Sequence, residues 1–102
     1  MQHVRFGPTG LHVSRLCLGT MTFGLQCDEK TSFAILDAAA EQGITFLDTA
    51  DVYPLGGGTD IAGRTEEIVG KWLKGKREKF ILATKCSGKM GSAPWQIGRA
   101  HV

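Results

Sequence analysis

Two short apolar runs, each ending in an ionisable side chain, constrain this chain more than any other feature. Ile44-Thr45-Phe46-Leu47 ends at Asp48, with Tyr53 five residues further on, and Phe80-Ile81-Leu82-Ala83-Thr84 ends at Lys85. Runs of this length bounded by turn signals suit strands buried in a parallel sheet, and the polar ends mark where such strands leave the core. Adjacent strands lie about 4.8 Å apart, so Asp48 and Lys85 at the same end of neighbours can touch.

Between the runs lie two helix-forming segments. Asp28 is placed to cap a helix over Glu29 to Gln42, with Glu29 in the first turn and Gly43 as the stop. Phe33, Leu36 and Ala40, flanked by Ile35 and Ala39, form an apolar stripe able to cover a sheet. Thr65 is expected to cap a second helix over Glu66 to Lys74, stopped by Gly75, with Ile68, Val69, Trp72 and Leu73 on one face. Glu67 and Lys71 stand at the favourable i,i+4 spacing, and Lys74, Lys76 and Arg77 crowd the negative end of the dipole as a solvated cluster.

Strand, helix, strand, helix, strand is the order of parallel βαβ units with right-handed crossovers. The strands are expected over Ser14 to Thr20, Ile44 to Thr49 and Phe80 to Lys85. Ahead of them, His3 to Phe6 and Leu11 to Val13 flank Gly7-Pro8-Thr9-Gly10, which predicts a small hairpin. In α/β sheets and barrels, active sites form at the carboxyl ends of the strands. Asp48, Tyr53 and Lys85 belong there.

The chain resembles the aldo-keto reductase family over nearly its whole length to about Gln96. The resemblance rests on Phe6-Gly7-Pro8-Thr9-Gly10-Leu11-His12-Val13-Ser14, on Leu18-Gly19-Thr20-Met21-Thr22-Phe23-Gly24, on Asp48-Thr49-Ala50-Asp51-Val52-Tyr53 and on Ala83-Thr84-Lys85, in that order. It implies an α/β fold, the N-terminal part of a (β/α)8 TIM barrel preceded by a β-hairpin, with about three of the eight parallel strands present. The implied activity is the reduction of aldehydes and ketones to alcohols with NADP(H).

Under that resemblance Asp48, Tyr53 and Lys85 are the catalytic candidates. Carbonyl reduction needs a hydride at carbon and a proton at oxygen. A free phenol holds its proton with a pKa near ~10, so an ammonium beside Tyr53 is needed to favour the phenolate, and Lys85 is that ammonium. Asp48 orients Lys85 and keeps it charged, while offsetting part of its field. The family's catalytic histidine lies on a later strand; His3, His12 and His101 are read as surface or hairpin residues instead. The cofactor candidates are Gly19, Thr20, Met21, Gln26 and Asp48. Met21 departs from the tryptophan of some relatives. No G-x-G-x-x-G follows a strand, so a Rossmann site has no support, and Gly56-Gly57-Gly58 reads as a flexible loop rather than an anion nest.

Composition narrows the remaining classes. A net charge of +2 over 102 residues is too small to imply a nucleic-acid partner. No apolar run has the length of a membrane span, and Arg5 with nearby turn residues breaks any secretory pattern. The expected partner is a small aldehyde or ketone. Three cysteines without a C-x-x-C pair argue against a disulfide framework or a metal site and for a reducing cytoplasm. Cys17 is read as core and Cys86 as a packing residue.

Length separates the readings further. A barrel of this type needs about 250 residues, so the sheet here is expected to keep an open edge and an uncovered apolar face. Residues 1–96 are expected to be a partial barrel domain, inactive alone, and 97–102 a non-native tail, because Ile97-Gly98-Arg99-Ala100-His101-Val102 reads like a sequencing adaptor translated in frame. Two other functions fit the same residues: a non-catalytic, cofactor-holding redox sensor, and a small open α/β domain binding a phosphate ligand in the glycine loop.

Overall fold

A computed structural model describes residues 1–88, 90 and 91 of the chain; the tail proposed at 97–102, and His101 within it, lie outside them. Its first element is an antiparallel hairpin of β1 (His3–Arg5) and β2 (His12–Ser14), with Val4 opposite Val13. The connection is a 3-10 turn over Gly7–Thr9, closed by the Phe6 amide donating to the Leu11 carbonyl at 2.9 Å. Ser14 belongs to this hairpin and not, as the sequence suggested, to the first parallel strand. The reason is its pairing opposite His3, and its hydroxyl also joins the hairpin to the segment before Phe46, donating to the Leu16 carbonyl at 2.7 Å and accepting from the Thr45 amide at 3.1 Å.

The second sheet is parallel, in the order β3 (Cys17–Gly19), β4 (Phe46–Asp48), β5 (Ile81–Ala83). Each strand is shorter than its apolar run. Pairing nevertheless continues past the carboxyl ends, where the Thr20 amide donates to the Asp48 carbonyl (3.1 Å), that of Thr49 to Ala83 (2.8 Å) and that of Asp51 to Lys85 (3.0 Å). Register places Leu18, Leu47 and Leu82 in one row, with Cys17, Phe46 and Ile81 on one side of it and Gly19, Asp48 and Ala83 on the other. Since successive side chains alternate between faces, the leucine row points one way and the other two rows point the opposite way.

Helices cover the leucine face. α1 (Glu29–Glu41) starts at Asp28, whose carboxylate accepts from the Thr31 amide at 2.7 Å, and ends at Gln42 before Gly43, whose φ of 86° an L side chain rarely adopts. α2 (Arg64–Leu73) buries Ile68, Val69, Trp72 and Leu73 as its periodicity predicts. These pack with Phe23, Leu36, Leu47 and Phe80 into one cluster, flanked by Leu18, Phe33, Ile35, Ala40 and Leu82. Trp72 meets Phe80 edge-on at 5.0 Å, and its indole N–H donates to Asp37 at 2.8 Å.

Three local expectations change. Thr65 does not cap α2: the N-cap is Gly63, and the Thr65 hydroxyl instead donates to the carbonyl of Phe23. Lys71 reaches across to Glu29 on α1 at 3.0 Å, forming an interhelical ion pair in place of the pairing with Glu67. Lys76, expected in a purely solvated cluster, lies 3.9 Å from the centre of the Trp72 ring.

The opposite face carries no helix among the described residues. Its amino end is partly covered by the hairpin through an edge-on contact of Phe6 with Phe46 at 5.6 Å. Cys17, expected in the core, is exposed on this face because strand alternation gives the buried side to Leu18. Cys86 is exposed as well, which removes its packing role.

Leu36 is 1% exposed and Leu25 44%. In the full-length protein, Leu36→Ala should cost about 2–5 kcal/mol. Leu25→Ala should stay within about 0.5 kcal/mol. Urea unfolding midpoints of the two variants, compared with wild type, check the ranking.

Candidate active site

The side chains that the sequence placed at strand ends meet around one ammonium group. Asp48 closes β4 and stands opposite Ala83 on β5; Lys85 lies two residues beyond Ala83 and so points to the same face. The Lys85 Nζ donates to Asp48 Oδ2 at 2.7 Å, to the Thr49 carbonyl at 3.0 Å and to the Tyr53 hydroxyl oxygen at 3.1 Å. A lysine ammonium has three protons, and here each has an acceptor. The Thr49 carbonyl was not anticipated, since a backbone acceptor leaves no mark in a residue pattern.

Tyr53 comes into range through the turn after β4. Its amide donates to the Ala50 carbonyl at 3.2 Å, and its own carbonyl accepts from the amides of Gly63 and Thr65 at 3.1 and 3.3 Å. The phenol is thereby held from both sides, by its own turn and by the start of α2.

The cofactor candidates separate by environment. Gly19 stands opposite Asp48 on β3, and a Cβ built there would meet nothing within 4 Å among the described residues, which leave the face beside Asp48 open. Met21 and Gln26 are exposed in the following loop. Thr20 differs: it is wholly buried, and its amide and hydroxyl both donate to the Asp48 carbonyl, at 3.1 and 2.9 Å. It supports Asp48 from behind the open face.

Two side-chain oxygens beside the site, Thr49 Oγ1 and Asp51 Oδ1, are buried and have no hydrogen-bond partner among the described residues. Glu66 accepts from the Thr84 hydroxyl at 2.8 Å, a tie between α2 and the segment leading to Lys85. No group of three or more His, Cys, Asp or Glu with metal-binding geometry occurs among the described residues. No helix among them is long and apolar enough to cross a membrane.

Residues 15–100 match the model of the Aldo/keto reductase family. The chain belongs to that family. It is 53% identical over 88 residues to the uncharacterized oxidoreductase YrpG of Bacillus subtilis, covering 83% of this chain and 26% of the relative. It is 48% identical over 90 residues to the protein tas of Escherichia coli, covering 86% and 26%. Among solved structures, the aldo-keto reductase AKR11C1 from Bacillus halodurans, in its holo form, superposes with a TM-score of 0.72 at 40% identity, over 90% of this chain and 28% of that one.

The chain thus spans about a quarter of the length of these curated relatives. Its hairpin and three-stranded sheet are a piece of the family's α/β barrel, as the motifs implied. The open face bearing Gly19, Asp48 and Lys85 is the inward face of such a barrel, and the helical face is the outward one.

The hydrogen bond to Asp48, and after it the one to Tyr53, raise the Lys85 pKa above its ordinary value of 10.5. The pair's contribution to stability is therefore complete below that ordinary value and is lost as pH rises through the raised one. Asp48→Asn removes the larger cause. It should bring the Lys85 pKa back toward 10.5, read from NMR titration of the lysine side-chain resonances.

Proposed function

We propose that the protein carrying these residues is an NADPH-dependent carbonyl reductase in which Tyr53 protonates the oxygen of an aldehyde or ketone. The observation that carries this reading is the Lys85 ammonium, 2.7 Å from Asp48 and 3.1 Å from the Tyr53 oxygen. Donation from an ammonium to a phenol oxygen stabilises the charge left behind when the phenol gives up its proton. Asp48 keeps that ammonium protonated and aimed.

The cofactor, when bound, supplies the hydride to the carbonyl carbon. Gly19, Met21, Gln26 and Asp48 are the residues that would hold it: Gly19 and Asp48 stand opposite one another at the carboxyl end of the sheet, and Met21 and Gln26 are exposed in the loop after β3. Thr20, with both its donors on the Asp48 carbonyl, serves by fixing Asp48. The preference for NADPH and the small-molecule carbonyl substrate follow the family resemblance. A cytoplasmic setting fits the three unpaired cysteines.

In the full-length protein, Tyr53→Phe should reduce aldehyde-dependent NADPH oxidation by about 10²- to 10⁴-fold, the usual worth of a positioned general acid. NADPH binding, followed by nucleotide fluorescence, should be retained. Unchanged turnover would exclude Tyr53 as the acid.

Residues 1–102 alone should show no NADPH-dependent turnover. Asp48 and Lys85 side chains are 36% and 49% exposed here, a setting too wet for an ammonium to act strongly on a neighbour. Turnover by that purified polypeptide would overturn this expectation.

A further inference from the structure

Thr65 makes contacts that neither a helix cap nor a core residue requires. It is wholly buried near the start of α2, its amide donates to the Tyr53 carbonyl at 3.3 Å, and its hydroxyl donates to the Phe23 carbonyl. Phe23 is itself 2% exposed within the core, and its amide donates to the Thr20 carbonyl at 3.0 Å. Thr20 holds the Asp48 carbonyl through both its donors.

These bonds form a closed circuit. From Asp48 it passes through Thr20, Phe23 and Thr65 to Tyr53, and returns through the Lys85 ammonium to the Asp48 carboxylate. Half of it is exposed and made of long side chains; the other half is buried backbone fixed by two threonine hydroxyls. A second bond beside Thr65 supports the same joint, from the Arg64 guanidinium to the Gly24 carbonyl at 3.1 Å.

We propose that Thr65 is a positioning residue for Tyr53: its hydroxyl anchors the start of α2 to the loop after β3, so that the amides of Gly63 and Thr65 hold the Tyr53 carbonyl at the height where the phenol meets Lys85. The chemistry explains the residue type. The free amides at a helix start need acceptors, and the Tyr53 carbonyl supplies one. That carbonyl is held in place only if the helix start is fixed, which the β-hydroxyl of Thr65 does by bonding a carbonyl on another element. Valine has the same shape and lacks the bond.

The proposal rests on the reading of Tyr53 as proton donor, so the experiment carries Tyr53→Phe in parallel. In the full-length protein, Thr65→Val should lower kcat for aldehyde reduction on the order of 10- to 100-fold, the scale of a misplaced reacting group. NADPH affinity should stay near wild type, and Thr65→Ser, which keeps the hydroxyl, should restore most of kcat. The proposal is overturned if a folded Thr65→Val keeps wild-type kcat, or if Thr65→Ser is as impaired as Thr65→Val. If Thr65→Val does not fold, Thr65→Ser decides: near-wild-type kcat supports the proposal, and a folded serine variant with low kcat overturns it. Should Tyr53→Phe itself turn over normally, the reading of Tyr53 fails first, and the two failures are distinct.

Discussion

One ammonium group organises the carboxyl end of this sheet. Lys85 gives one proton to a carboxylate on the neighbouring strand, one to the Thr49 carbonyl and one to a phenol in the loop beyond. The arrangement requires β4 and β5 to be parallel and in the register that sets Asp48 opposite Ala83. A slip of one residue would send Lys85 to the helical face, where Leu47, Leu82 and the α2 cluster leave no room for a charge. Packing of the leucine row on one face thus fixes which side chains meet on the other.

Much of this was readable because it depends on alternation and on strand order. Asp48 and Lys85 end apolar runs, and the helices between them carry stripes in Leu36 and in Ile68, Val69, Trp72 and Leu73 that match the observed core. What was misread depends on contacts between residues distant in sequence. Thr65 has the identity and position of a helix cap, yet its acceptor, the Phe23 carbonyl, lies 42 residues away. Lys71 has an intrahelical partner available and takes Glu29, also 42 residues away. Ser14 adjoins the run that forms the first parallel strand, yet it pairs with His3 in the hairpin and its hydroxyl accepts from the Thr45 amide, 31 residues away. Cys17, expected in the core, is exposed. The strand has two faces, and among the described residues the helices pack on the one that Leu18 faces.

The two faces also explain why residues of similar character take different roles. Leu18, Leu47 and Leu82 meet helices and contribute to the core, whereas Phe46 and Ile81 sit on the face that carries no helix among the described residues and are only half-buried. Phe6 covers Phe46 from the hairpin, at the amino end of the strands. At the carboxyl end Gly19, opposite Asp48, offers no side chain, and a Cβ there would meet nothing within 4 Å among the described residues. Apolar groups at one end of the face and a glycine beside charged groups at the other are what a barrel interior with its site at the carboxyl end demands.

The energetics assign the Asp48–Lys85 pair to geometry rather than to stability. With side chains 36% and 49% exposed, an ion pair of this kind contributes about 0–1 kcal/mol, less than burying one more leucine. Stability comes from the helical face. What the pair supplies is direction: a carboxylate at 2.7 Å and a backbone carbonyl at 3.0 Å fix two of the ammonium's three protons and leave the third aimed at Tyr53. With those two acceptors in place the tetrahedral geometry of nitrogen determines where the phenol oxygen must be. Holding the Tyr53 backbone from a buried helix start is then the remaining condition for the contact to form without further reorganisation.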